Sequence, residues 1–268
     1  MKELGIIIPM HEFSKENIEL LNKAINSVPD GLSICLSVPK GTTAAKMKGV
    51  SERAAVVRSD GYGTTFADLV NNGVKAFNNN DGIKWFSILE FDDTYTPIWL
   101  DNAKKYIDFM PDTSVFMFLE DITDYTNGKY IGFGNEAAWA SSFSNEIGYI
   151  DNECLQNYFD FYLTGSIFNK ADWNEIGGLK PLIRVTFWYE WLLRITNKNK
   201  KVFVIPKVGY NHSLGRKGSL VEIYKSEISD AETQWLFDLA KREYFYHPSV
   251  EREASKFIFK PEETSENE

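Results

Sequence analysis

The amino-acid sequence predicts an α/β fold, a mostly parallel sheet flanked by helices with a helical extension at its C-terminal end, and two observations carry that prediction. Short apolar runs of strand length alternate with segments whose apolar residues recur at helical spacing. Such alternation favours parallel strands joined by helices that cover both faces of a sheet. The 268 residues are 43% hydrophobic and 15% aromatic, enough to bury one large core or one core with a helical appendage.

Leu4 to Pro9 reads as a buried first strand. Ser14 opens a helix with Glu16 in its first turn and apolar residues at Ile18, Leu20, Leu21, Ala24, Ile25 and Val28. Gly31 to Val38 is the second strand and Ala54 to Arg58 the third. Thr64 opens a second helix, in which Phe66, Leu69, Val70, Val74 and Phe77 keep helical spacing, and Trp85 to Leu89 is the fourth strand. Much later, Lys201 to Pro206 reads as a strand that hands over to a loop carrying His212. Val221 to Tyr246 reads as one or two helices with an apolar stripe through Ile223, Ile228, Trp235, Leu236, Leu239, Ala240 and Phe245, suited to packing on the preceding domain or to self-association as a homo-oligomer. The expected division is a main domain over 1–220, the helical extension over 221–260, and a disordered acidic tail over 261–268.

The net charge of -9 argues against a dedicated nucleic-acid surface, because neutralising phosphates takes clustered Lys and Arg. Cys35 lies in a strand-like run and Cys154 in a polar stretch, without the spacing of zinc ligands, so both read as free thiols of a reducing compartment. No apolar stretch is long enough to span a bilayer, and the N-terminus shows no charged-then-apolar leader; a soluble, cytoplasmic protein without a membrane span is the expectation.

In parallel sheets ligands bind outside the carboxyl ends of the strands, so the chemistry should sit at Pro9-Met10-His11-Glu12, Pro39-Lys40, Ser59-Asp60-Gly61 and Glu90-Phe91-Asp92-Asp93. The last is the strongest signal. Carboxylates delivered by a buried strand just before a helix can hold a divalent cation, and a cation can bridge a diphosphate. The bland alternative is a solvated turn whose negative charge suits a helix N-terminus.

With these segments in order over roughly residues 4 to 220, the chain resembles the family 2 glycosyltransferases of the Rossmann-like GT-A fold. The resemblance is carried by the strand ending in Ile8-Pro9, by Gly61-Tyr62-Gly63 with Asn71-Asn72-Gly73-Val74, and by the acidic cluster with Pro97 and Trp99-Leu100 behind it. It continues in Phe168 to Gly178, in Tyr189-Glu190 leading to Leu193-Arg194, and in His212 four residues before Arg216 and seven before Ser219.

The resemblance implies a metal-dependent transfer of a sugar from a nucleotide-diphosphate donor to an acceptor hydroxyl, with inversion, Mn2+ or Mg2+ as cofactor and a UDP-sugar first among donors. Position by position it implies that Glu90 contacts the ribose or nucleotide, that Asp92 ligates the metal with Asp93 in support, and that His212 is a further ligand. Arg216 and Lys217, bounded by Gly215 and Gly218, would fold over the diphosphate. Pro9, Met10 and Glu12 would meet the base, with Asp60 on base or ribose and Asn71 nearby; Asp60 and Asn71 fit equally well as a turn residue and a helix-surface residue. Two departures bear on the nucleotide: Ser37-Val38-Pro39-Lys40 stands where many members show an acidic loop, and Val70 rather than Arg precedes Asn71.

An inverting transfer needs a base, and Glu190 is the acidic residue before Leu193-Arg194; the competing reading is a helical ion pair with Arg194 four residues on. Asp172 is a weaker substitute. Aromatics are dense from Phe133 to Phe168, including Trp139, Phe143, Tyr149, Tyr158 and Tyr162, and divide between core and a sugar-stacking acceptor site. The acceptor class, whether glycan, lipid carrier, protein or modified nucleic-acid base, is not specified by fold. A non-catalytic nucleotide-sugar or glycan-binding protein and a nucleotidyltransferase are the alternative functions; the latter lacks the basic glycine-rich loop it would normally show near the N-terminus.

Overall fold

The computed structural model describes residues 2–61, 63–143 and 146–244. Tyr62, the last part of the expected helical extension and the expected tail therefore lie outside the described residues. Along the chain run β1 (Leu4–Pro9), α1 (Lys15–Ser27), β2 (Ser33–Val38), β3 (Ala54–Arg58), α2 (Phe66–Asn78), β4 (Trp85–Ile88), β5 (Thr94–Tyr95) and α3 (Trp99–Phe109). Then come β6 (Thr113–Asp124), β7 (Tyr130–Gly134), β8 (Tyr149–Ile150), α4 (Asn152–Leu155), β9 (Ile167–Asn169), α5 (Lys170–Ile176), α6 (Phe187–Asn197), β10 (Lys201–Leu214), α7 (Leu220–Glu227) and α8 (Asp230–Glu243).

One ten-stranded sheet organises these elements in the order β3-β2-β1-β4-β9-β6-β10-β5, with β7 beside β6 and β8 beside β10. The run β3-β2-β1-β4 is parallel, β9 is antiparallel to both neighbours, and β6 and β10 are parallel over the longest ladder. From β1 the chain moves outward through β2 to β3, then returns to place β4 on the other side of β1. Such a reversal opens a crevice at the carboxyl ends of β1 and β4, where Pro9 and Glu90 stand.

The strands are buried on both faces. In β1, Leu4, Ile6 and Ile8 join the cluster that includes Leu21, Ile25, Trp99 and Ile107, while Ile7 joins the one that includes Val70, Val74, Trp191 and Leu193. That is the two-residue strand period dividing one apolar run between α1 and α3 on one face and α2 and α6 on the other. The helices begin where polar caps satisfy their first N–H groups. Ser14 Oγ accepts from Asn17 N at 3.0 Å, and Thr65, one residue beyond the expected start, forms a capping box with Asp68.

The structure corrects the end of β10. The strand does not stop at Pro206 but continues to Leu214, because Ile205 and Val208 pair with the consecutive residues Phe118 and Leu119 and the two residues between them bulge out. A proline has no N–H to give the ladder, so a bulge accommodates it. His212 is consequently held on a strand rather than in a loop. Cys154, expected in a polar stretch, is buried in α4, and burial pushes both thiols up to about 12.

The expected apolar stripe after residue 220 forms α7 and α8. Phe237 of α8 packs 5.1 Å from Tyr189 and 4.5 Å from Phe159, between ring centroids. Among the described residues no helix is long and apolar enough to cross a membrane.

Candidate active site

The crevice between the β1 and β4 ends opens into two adjoining cavities. The larger, a groove of about 740 Å³, is lined by Glu12, Lys40, Lys46, Thr64, Arg184 and Glu227 among others. The smaller, about 50 Å³, lies against Pro9, Glu90, Phe91, Asp92, Phe187 and Arg216. His11, Leu220 and Tyr224 border both, so the two adjoin along a path from the ends of β1 and β2 toward the carboxylates. Helix α7 closes it from above. Tyr224 Oη accepts from the Phe66 N–H at 3.3 Å, and Arg184 pairs with Glu227 at 2.5 Å.

The acidic cluster follows β4 in a tight turn, with Asp93 N donating to Glu90 O at 3.2 Å. Tyr210 of β10 supports it from below, its Oη accepting the Glu90 N–H at 3.0 Å. Asp92 Oδ2 accepts from Arg216 Nε at 2.5 Å, and the guanidinium carbon lies 4.8 Å from the Phe91 ring centroid. Asp93 accepts from the Ser213 N–H at 2.8 Å through Oδ1 and faces His212 Nδ1 at 3.1 Å through Oδ2. Behind them Glu120 of β6 approaches the same imidazole nitrogen at 3.8 Å.

Burial dominates the electrostatics. It pushes the Glu90 carboxyl up, with the charges of Asp93 and Asp92 adding, to about 8. Asp92 is raised by burial and Asp93 while Arg216 opposes, and Glu120 is raised well above the carboxylate range by burial. For His212 burial acts to lower the value, but Asp93, Glu120 and Glu90 outweigh it and hold the imidazole up to about 10. Burial lowers His11, so it lines the path as a neutral ring.

The raised groups share one sign for stability, and His11, which is lowered, opposes them only below about pH 6.5, where the unfolded imidazole takes up a proton. His212 binds its proton more tightly folded than unfolded, so its contribution is complete below about pH 6.5 and is lost as pH rises toward 10. Glu90 and Glu120 also hold protons that the unfolded chain releases above about 4.5, so they too favour the fold less as pH rises. The thermal midpoint is expected to fall from about pH 7 to pH 10, above the range in which His11 opposes. A melting series across that range checks it; a midpoint that is flat or rises from acid to base would contradict the assignment.

The structure brings Pro9, Glu12, Glu90, Asp92 and Arg216 together around the path, with Asp93 and His212 paired beside it. It places other expected residues elsewhere. The Met10 side chain is fully buried in the core, and its N–H donates to Ser37 O at 2.9 Å. Asp60 is exposed and paired with Lys75, which lowers its carboxyl. Asn71 uses both ends of its amide on the Leu179 backbone, at 2.7 and 2.9 Å, and so holds the segment after the Gly177-Gly178 turn. Lys217 is exposed and lines neither cavity.

Glu190 stands apart from both cavities. Its side chain is 1% exposed and pairs with Lys180 at 2.7 Å and Arg194 at 2.9 Å; Arg194 also donates to the carbonyls of Ile176, Gly177 and Gly178. The helical ion pair with Arg194, joined by Lys180, is what the geometry holds. Asp172 is likewise paired, with Lys200 at 2.6 Å.

The donor set does not fit a divalent ion as it stands. Asp92 is engaged by Arg216 and Asp93 by His212, and among the described residues no three His, Cys, Asp or Glu side chains converge to hold a metal.

Sequence reasoning passed over Arg184, Tyr224 and Glu120, and named His11 only as part of a strand end. A charged residue ending the apolar run Val115 to Leu119 was the available signal for Glu120. Tyr224 reaches Phe66 from 158 positions away, and no local pattern reports that contact.

Of the dense aromatics Phe161 and Phe168 are core, Phe143, Tyr149 and Tyr158 pack against it half-buried, and Trp139 and Phe159 are exposed. Phe143, Tyr158 and Phe161 pack on one another with centroids 5.0 to 5.6 Å apart. Phe133 and Tyr130 on β7 remain exposed, 5.5 Å apart.

Comparison with solved structures gives the class. Residues 1–349 of TarS from S. aureus, solved with UDP-GlcNAc, superpose with a TM-score of 0.62 at 13% identity, over 93% of this chain and 69% of that one. The same TarS segment with UDP gives 0.55 at 14% identity, over 98% and 77%. The mannosyltransferase PcManGT from Pyrobaculum calidifontis, solved with GDP-Man and Mn2+, gives 0.56 at 13% identity, over 81% and 58%. The chain thus has the GT-A fold of glycosyltransferases. No known family's sequence profile matches it, and no curated protein matches it in sequence.

Proposed function

We propose that this protein is a glycosyltransferase that takes a hexose or pentose from a nucleotide-diphosphate donor and passes it to an acceptor hydroxyl. The observation that carries the reading is the pair of adjoining cavities, the groove at the β1 and β2 ends and the smaller one at the Glu90–Asp92 turn, at the point where strand order reverses. The groove would take the nucleoside, against Glu12 and the neutral His11, with Lys40, Lys46 and Arg184 nearby. Glu90, largely protonated at neutral pH, can donate to a ribose or phosphate oxygen. Arg216 stands where the diphosphate would lie. Structures of the same fold with UDP-GlcNAc, UDP and GDP-Man support a nucleotide sugar, with UDP-sugars the first donors to test.

One observation favours a second reading, a nucleotide-sugar-binding protein without transfer. Glu190 is the acidic residue of α6, and its carboxylate is committed to Lys180 and Arg194. UDP-GlcNAc and GDP-mannose separate the outcomes. Either donor is expected to raise the thermal midpoint by a few degrees, as binding to the native state alone requires, and a glycosyltransferase will also release UDP or GDP from it. Stabilisation without release favours the binder, and no stabilisation by any nucleotide sugar or nucleoside diphosphate removes both. The anomeric signal of the product by NMR reads inversion, which is the expectation for this transfer.

A further inference from the structure

The residue that keeps the donor set from fitting a divalent ion has the chemistry to replace one. This step rests on the nucleotide-sugar reading above. Arg216 is only 7% exposed; Asp92 grips its Nε and the Phe91 ring lies under its plane, so the guanidinium is fixed in position and orientation at the wall of the smaller cavity, beside Glu90 and Ser219.

A guanidinium carries five N–H donors, and Asp92 takes the one on Nε. The two terminal nitrogens form the planar fork that matches two phosphate oxygens at once. Asp93 cannot easily join Asp92 around an ion, because the Ser213 N–H and His212 already engage its two oxygens. A dication drawn to the other oxygen of Asp92 would sit beside the guanidinium already held on Oδ2, a like charge that disfavours it.

We infer that Arg216, locked by Asp92 and Phe91, stands in place of a divalent cation, and that this chain binds the diphosphate of its donor without a metal ion. Asp92 on this view is a positioning residue that holds the guanidinium and not a metal ligand. The diphosphate meets the fork of Arg216 at the wall of the smaller cavity.

The test is calorimetric titration of the full chain with UDP and with GDP, once in excess EDTA and once in excess Mn2+. The affinities in the two buffers are expected to agree within about threefold. Arg216→Gln, checked for folding by its melting curve, is expected to weaken binding in EDTA about tenfold or more, with Arg216→Lys keeping part of the affinity but losing the bidentate contact. Binding that disappears in EDTA and returns with Mn2+ would overturn the inference while leaving the nucleotide reading intact, and this comparison needs no variant. If neither nucleotide bound in either buffer, the nucleotide reading would fall and the inference with it.

Discussion

Glu190→Gln is expected to cost stability and leave nucleotide binding unchanged. Removing one partner of a buried ion pair typically costs about 3–5 kcal/mol, because the other charge is left uncompensated. Here the lower end applies, about 3 kcal/mol: Lys180 is 41% exposed and screened by solvent, and Arg194 keeps the carbonyls of Ile176, Gly177 and Gly178. For a chain of this size that corresponds to a drop of about 6–12 °C in thermal midpoint. UDP affinity and donor turnover, measured well below that midpoint, should match the parent, because Glu190 borders neither cavity. The opposite pattern, an unchanged midpoint with turnover down about a hundredfold, would restore Glu190 as the general base.

Gly165→Ala should be the more damaging change, although it adds a single methyl group. Gly165 has φ +74, a left-handed conformation that costs an L-residue about 1–2 kcal/mol. An added Cβ would also lie 2.3 Å from Tyr210 Cδ2 and 2.7 Å from its Cγ. Tyr210 has nowhere to retreat: it is fully buried, packed edge-on to Tyr95 at 5.8 Å, and its hydroxyl holds the Glu90 N–H. The Gly165 carbonyl in turn accepts from Trp99 Nε1 at 2.9 Å. Strain and overpacking together should cost about 4 kcal/mol or more. Nucleotide affinity should fall too, because the ring that moves is the one under the carboxylate turn. Gly31→Ala separates the two causes. Gly31 has φ +83 with nothing within 4 Å of an added Cβ, so it should show the strain cost alone. Equal denaturation midpoints for the two variants would show that the contact with Tyr210 is not what matters.

The early half of the fold was legible because its signals are local. The apolar run at Leu4–Pro9 divides between two cores at the strand period, and Val70, Val74 and Phe77 face the sheet at the helical period; both patterns are written in consecutive residues. The turn at Glu90-Phe91-Asp92-Asp93 was legible for the same reason, as charge placed directly after a buried strand. The continuation of β10 through His212 was not, because a proline reads as a strand end unless a bulge absorbs it.

What the sequence by itself determined is therefore the alternation of strands and helices, the caps that start α1 and the strand ends where ligands bind. Which of the candidate residues share a site was decided only by tertiary structure. Glu190 and Asp92 are both carboxylates that the sequence marks as candidates, yet one is drawn to Lys180 and Arg194 and the other to Arg216 at the wall of a cavity. Asp92 and Arg216 are 124 positions apart. A carboxylate's chemistry follows from the charge and burial that surround it, and partners so distant in sequence are chosen by the packing of the sheet and of α7, which no local pattern encodes.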